Sequence, residues 1–147
     1  MAELPLSDKT LKLEIVSAHA QVYSGKARMV SVQSVGGELG ILPRHAPLMT
    51  FLAPGEVRIR TESGEEEYVY VDGGFLEVQP DVVTILADTA LRGDDIDEEA
   101  AQAARRAAEE AMRTATLYSD RDLAQAELLK ALAQLRTLED TRRRRRR

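Results

Sequence analysis

Residues able to do chemistry are few in this chain, and their spacing does not suit catalysis. There are two histidines, His19 and His45, and no cysteine. Neither histidine has the nucleophile or carboxylate pattern of a catalytic base, and no GxxxxGK[ST], GxSxG or HExxH run occurs. The expectation is a non-catalytic protein without a metal site. Two other features stand out. Glu38 is held between Gly36-Gly37 and Gly40, and reads either as a solvated turn acid or as a contact residue. Arg142 to Arg147 form an unbroken basic run. That run is either a solvated chain end or a patch that meets carboxylates, which arginine pairs bidentately, or anionic lipid headgroups.

The elements that must position these residues divide the chain in two. Leu11, Leu13 and Ile15 alternate with polar residues, as in a half-buried strand. Ala20 to Tyr23 reads as a second strand closed by a Ser24-Gly25 turn, and Met29 to Val35 as a third. Pro43 and Pro47 fix φ and remove two backbone donors, so Leu42 to Leu48 is expected to be a rigid loop rather than a central strand. Pro54-Gly55, Glu62 to Glu65, Gly73-Gly74 and Pro80-Asp81 then punctuate further short strands. Many short strands with frequent turns predict an antiparallel sandwich or barrel.

After Arg92-Gly93 the character changes. Residues 97–115 hold eight alanines and no Gly or Pro, a helical composition. Asp95 with Glu98 reads as a capping box. Ile96, Ala100, Ala103, Ala107 and Ala111 are expected to share one face. A break at Thr116 to Ser119 precedes a second helix capped by Ser119, whose Ala124, Leu128, Ala131, Leu135 and Leu138 repeat at coiled-coil spacing. The expected fold is α+β: a β-sandwich over 1–92, a helical hairpin over 93–141 and the arginine tail at 142–147. Methyl-sized side chains bury little area at ~25 cal/mol per Å², so the hairpin should be marginal by itself and conditionally docked.

Composition narrows the function classes. Residues 1–93 carry 8 Lys+Arg against 13 Asp+Glu, and residues 94–141 carry 6 against 12. An acidic body argues against a general nucleic-acid binder. No apolar run approaches the roughly 20 residues needed to span a bilayer, and the N-terminal stretch lacks a secretory or transit pattern. A soluble cytoplasmic protein is expected.

The run Gly37-Glu38-Leu39-Gly40-Ile41-Leu42-Pro43-Arg44-His45-Ala46-Pro47-Leu48 resembles the hallmark loop of the epsilon subunit of bacterial F-type ATP synthase. The resemblance continues through Pro54-Gly55, Val71 to Val78 and Val83 to Ala90, and covers Leu11 to about Leu138. It implies a flattened sandwich of about ten strands and a non-catalytic central-stalk subunit, peripheral on the cytoplasmic face of the bacterial plasma membrane. The implied partners are the gamma subunit, the c-ring, and the alpha and beta subunits, without nucleic acid. Glu38, Arg44 and His45 would face the c-ring. Tyr23, Leu42, Leu48 and Met49 are candidates for the gamma-facing surface, although each, the leucines above all, could be core.

The resemblance also implies a regulatory hairpin that inhibits ATP hydrolysis when extended. The family's ATP motif, I/L-D-x-x-R-A, aligns with Ile96-Asp97-Glu98-Glu99-Ala100-Ala101. Ala100 replaces the arginine that nucleotide phosphates need. Arg105 and Arg106 lie further along and are the remaining cations, so ATP binding is expected to be weak or absent. A nucleotide-sensing regulatory protein is the rival reading. The tail, Arg142, Arg143, Arg144, Arg145, Arg146 and Arg147, would latch onto an acidic loop of the beta subunit.

Overall fold

A computed structural model describes residues 9–146. Arg147 of the basic tail lies outside the described residues. Nine strands come first in this span: β1 (Leu11–Ser17), β2 (Gln21–Ser34), β3 (Gly37–Ile41), β4 (Leu48–Leu52), β5 (Gly55–Thr61), β6 (Glu66–Val71), β7 (Gly74–Val78), β8 (Val82–Ala87) and β9 (Ala90–Arg92). Two helices follow, α1 (Glu98–Thr114) and α2 (Tyr118–Arg145).

The strands run in the order β1-β8-β7-β4-β2-β5-β6-β9, with β3 paired to β2. Because β1 also pairs with β2, the path closes on itself through β1, β8, β7, β4 and β2. All pairings are antiparallel except β1 with β8, which is parallel. The interior is mainly aliphatic, with Tyr23 and Tyr70 as its buried aromatics. Leu13, Ile15, Val30, Ile41, Val57, Ile59, Leu76 and Ile85 are fully buried.

The 14-residue β2 corrects one expectation. Ser24-Gly25 is not a turn, because Glu14 pairs with Ser24 and Leu13 with Gly25 in a ladder that keeps its register from Leu11 to Ile15. Glycine serves there by its size, since a Cβ would stand 3.3 Å from the Tyr23 hydroxyl. The chain bends instead near Ala27 and Met29, where the register with β5 slips and leaves Arg28 as the extra residue. Gly74 does have the expected turn role. Its φ is 131°, and a Cβ would fall 2.2 Å from the Leu86 carbonyl oxygen.

The helical part departs from expectation in phase. Ile96 lies outside α1, so a stripe counted from it is rotated. Ala101 and Ala108 are buried, whereas Ala100, Ala103, Ala107 and Ala111 are exposed. Asp97, not Asp95, caps α1, its carboxylate accepting the Ala100 N–H at 3.1 Å, while Asp95 ends a short 3-10 turn. Helix α2 begins at Tyr118 with no side-chain cap, so Ser119 is helical. The seam of α2 is as read, with Ala124, Ala131 and Leu138 buried and Leu128 and Leu135 half-buried. The arginine run is no separate tail up to Arg145, because it forms the last turn of α2.

Candidate functional site

The loop between β3 and β4 is built on its prolines. Arg44 takes a positive φ of 64° and donates its N–H to the Pro80 carbonyl at 2.9 Å, which ties the loop to the β7–β8 turn. The His45 N–H donates to the Leu42 carbonyl at 3.1 Å, and its Nδ1 lies 2.7 Å from the Ala46 carbonyl oxygen. That ring is thereby oriented, half-buried, within its own loop. Glu38 and Arg44 are exposed, and so are Leu42 and Met49. Leu48 packs against the core. Tyr23 is 7% exposed beneath the Arg92 guanidinium, which lies 5.2 Å from its ring centroid. It is a core residue.

Met49 belongs to a larger apolar surface. In the ladder, Phe51 of β4 stands opposite Phe75 of β7, and Phe75 opposite Leu86 of β8. The two phenyl rings meet edge to face at 5.5 Å. Phe51 is 65% exposed, Met49 63% and Leu86 52%, and Val35 beside them is 69% exposed. Inward positions of the same strands, Leu52, Leu76 and Ile85, are buried. These strands are therefore apolar on both faces, and a contiguous exposed patch of this kind marks an interaction surface. Phe51, Leu86 and Val35 escaped the sequence reading. Their signal was the period-2 phase, which puts apolar residues where an outward polar one is expected.

On the opposite side the hairpin lies against the sandwich. Tyr70, Ile96 and Leu138 form a small buried cluster with Leu91 and Ala133 packed on it. Thr137 and Thr141 are buried in α2, each hydroxyl donating to the carbonyl four residues back. Polar bridges flank this cluster. Lys130 reaches Asp72 at 3.4 Å, Arg142 reaches Glu98 at 2.8 Å, and Arg144 donates to the Glu66 carbonyl at 2.9 Å. Arg145 pairs with Asp94. The hydrogen bond from Arg142 also holds the Glu98 carboxyl below its ordinary range. Arg143 pairs within its helix, 2.9 Å from Glu139. Among the described arginines of the tail, Arg142, Arg143, Arg144 and Arg145 thus all make side-chain contacts to this chain itself.

The residues proposed for a nucleotide are not brought together. Ile96 is buried, Asp97 is engaged as the helix cap, and Arg105 lies 3.1 Å from Glu109. Arg106 lines a shallow groove with Glu109, Glu110 and Arg113. Eight or nine residues of helix separate both arginines from Asp97, about 12–14 Å of rise.

One interior feature had no signal in the sequence. Glu56 of β5 is buried, its side chain 6% exposed, in a hollow of about 450 Å³ between β5 and α2. Its Oε1 accepts the Arg58 Nε–H at 2.8 Å, and its Oε2 has no partner. Burial pushes its pKa up to about 7, against the pull of Arg58 and with a contribution from Asp140 of α2.

Comparison with known proteins agrees with the geometry. The β-sandwich domain of the ATP synthase delta/epsilon chain matches residues 10–93, and the long α-helix domain of the same chain matches residues 94–139. An ATP synthase epsilon chain of Alkalilimnicola ehrlichii is 54% identical over 135 residues, 92% of this chain and 96% of that protein. One from Halorhodospira halophila is 55% identical over 136 residues, with the same coverage of both chains. The fold also resembles a chain in the mitochondrial ATP synthase of Euglena gracilis, a structure of OSCP, F1 and c-ring. That match has a TM-score of 0.75 at 21% identity, over 95% of this chain and 83% of that one. A chain of the Tetrahymena thermophila mitochondrial central stalk and c-ring matches with a TM-score of 0.60 at 12% identity, over 89% and 98%. With both halves matched in order and relatives more than half identical, the chain belongs to the delta/epsilon-chain family of ATP synthase.

Proposed function

We propose that this chain is the non-catalytic central-stalk subunit of a proton-translocating ATP synthase, joining the gamma subunit to the c-ring. The observation that carries the reading is the apolar outer face of Val35, Met49, Phe51 and Leu86, which suits a permanent protein partner. Gamma is the partner proposed for it. Glu38, Arg44 and His45, on the rigid loop, would meet the polar loops of the c-ring. No helix among the described residues is long and apolar enough to cross a membrane, and peripheral attachment at the cytoplasmic face through the c-ring is part of the proposal.

The hairpin would regulate. Docked, it leaves turnover free; extended, it reaches alpha and beta and obstructs hydrolysis. Its small apolar contact with the sandwich supports such a two-state element, biased by whatever favours one state. The arginines that grip Glu98, Asp94 and the Glu66 carbonyl in the docked form would be released to meet the acidic surface of beta in the extended form.

The test is ATP hydrolysis by an epsilon-depleted complex containing gamma, with added full chain or a chain lacking residues 94–147. We expect both to bind and only the full chain to inhibit. Binding without inhibition would reduce the hairpin to a brace, and absence of binding would sink the rotor reading.

A further inference from the structure

We infer that Glu56 of the sandwich and Asp140 of α2 form a proton-sharing carboxyl pair that fastens the hairpin when protonated and loosens it when the proton leaves. The inference rests on the hairpin being mobile, as proposed above.

Glu56 Oε1 is satisfied by Arg58, but Oε2 is buried with no partner. A buried, unpaired carboxylate oxygen is costly. Across the β5–α2 junction Arg136 lines the same hollow, and the Asp140 carboxyl, one turn further along α2 and only 13% exposed, lies 3.9 Å from that arginine and acts on Glu56. Two carboxylates cannot bond each other without a proton. An un-ionised Glu56 resolves this, its Oε2–H donating to the Asp140 carboxylate and leaving one negative charge on the pair. Loss of that proton to solvent leaves two negative charges facing each other across the interface that holds the hairpin down.

The surrounding charges do not compensate for the second one. On β5, Arg58 is already bonded to Glu56 and is 42% exposed. On α2, Arg136 and Arg143 approach Asp140 only at 3.9 and 3.6 Å, and both are more than half exposed. Arg143 has a nearer partner in Glu139. On β6, Tyr68 donates to Glu66, which Arg60 of β5 also approaches at 3.6 Å, so that group is closed upon itself. Glu38 of β3 adds a further negative charge on the same hollow. A proton on the Glu56–Asp140 pair is the remaining means of balance.

The sign follows from linkage. A carboxyl whose pKa is raised in the docked state contributes fully below the ordinary carboxylate range, and its contribution is lost as pH rises through about 7. Between those limits one proton is linked to docking, so the docking constant falls roughly tenfold per pH unit. Acid fastens the hairpin, and alkali favours the extended form.

The chain contains no cysteine, so a dye pair on Ser63→Cys and Ser119→Cys in the full chain reports docking from pH 5 to 8. The parent protein should undock with that slope. Glu56→Gln, whose amide N–H replaces the acid proton, should stay docked throughout. Infrared spectra at pH 6 should show an un-ionised carboxyl that Glu56→Gln abolishes. A missing carboxyl band, or a slope unchanged in Glu56→Gln, overturns the pair. Gly93→Ala, a steric wedge under α2, separates the two readings. If it too leaves energy transfer unchanged at every pH, the mobile hairpin fails and the release with it, whereas the infrared band still decides the shared proton.

Discussion

Arg44 holds a left-handed backbone conformation that costs an L-residue roughly 1–2 kcal/mol, yet its side chain reaches outward from the loop. Strain kept at an exposed position points to use by a partner. Arg44→Gly relieves the backbone but frees the unfolded chain, so urea unfolding should show stability unchanged or raised by up to about 1 kcal/mol. Arg44→Ala keeps the strain and should leave stability where it is. Both lose the guanidinium, and both should weaken sedimentation with membranes carrying the c-ring. Binding equal to that of the parent in both variants would remove Arg44 from the interface. Glu56 is the contrasting residue. It alternates with Val57 on an ordinary-looking strand, and only a helix some eighty residues later in the chain makes it a buried acid. Burial imposed from so far along the sequence leaves no local pattern.

At the level of elements, α2 comes so close to the 3-10 turn that Gly93 has no room for a side chain. A Cβ there would stand 1.8 Å from the Thr141 hydroxyl oxygen and 2.7 Å from its Cβ. Gly93→Ala should therefore lift α2 while leaving the sandwich folded, seen as faster amide exchange in Tyr70 and in α2 but not in β1 or β8. Thr141→Gly in the same chain should restore docking, less about 1 kcal/mol for a glycine inside a helix. Failure of that rescue would mean that the contact is not what sets the fit. The strands and turns around Pro54-Gly55, Glu62 to Glu65, Gly73-Gly74 and Pro80-Asp81 were legible in the sequence because turn chemistry is local. The course of β2 through Ser24-Gly25 was not, since its pairing with β1 is tertiary. The phase of α1 was not legible for a smaller reason: Ile96 is apolar but stands before the Asp97 cap, outside the helix, so it does not continue the buried face of Ala101 and Ala108. The contacts of Arg142, Arg144 and Arg145 had no signal either, because Glu98, Glu66 and Asp94 meet them only through the return of α2.

The molecule as a whole has two unlike sides. One carries the hairpin, held by a small apolar cluster, several ion pairs and the Glu56 hollow. The other shows Val35, Met49, Phe51 and Leu86 to solvent. Reversible contacts suit the first side, since ion pairs and a titrating acid respond to salt and pH. A permanent contact suits the second, where aromatic and aliphatic anchors dominate binding. The difference can be tested with Phe51→Ser and Leu86→Ser combined. Both side chains are more than half exposed, so the unfolding midpoint in urea should shift little, by under about 1 kcal/mol. Affinity for the gamma-containing complex should fall at least tenfold, about 1.4 kcal/mol. Hairpin docking, read by the same dye pair, should not change. Full affinity in the double variant would remove this face from the interface and leave the loop at Glu38 and Arg44 as the remaining candidate for anchorage.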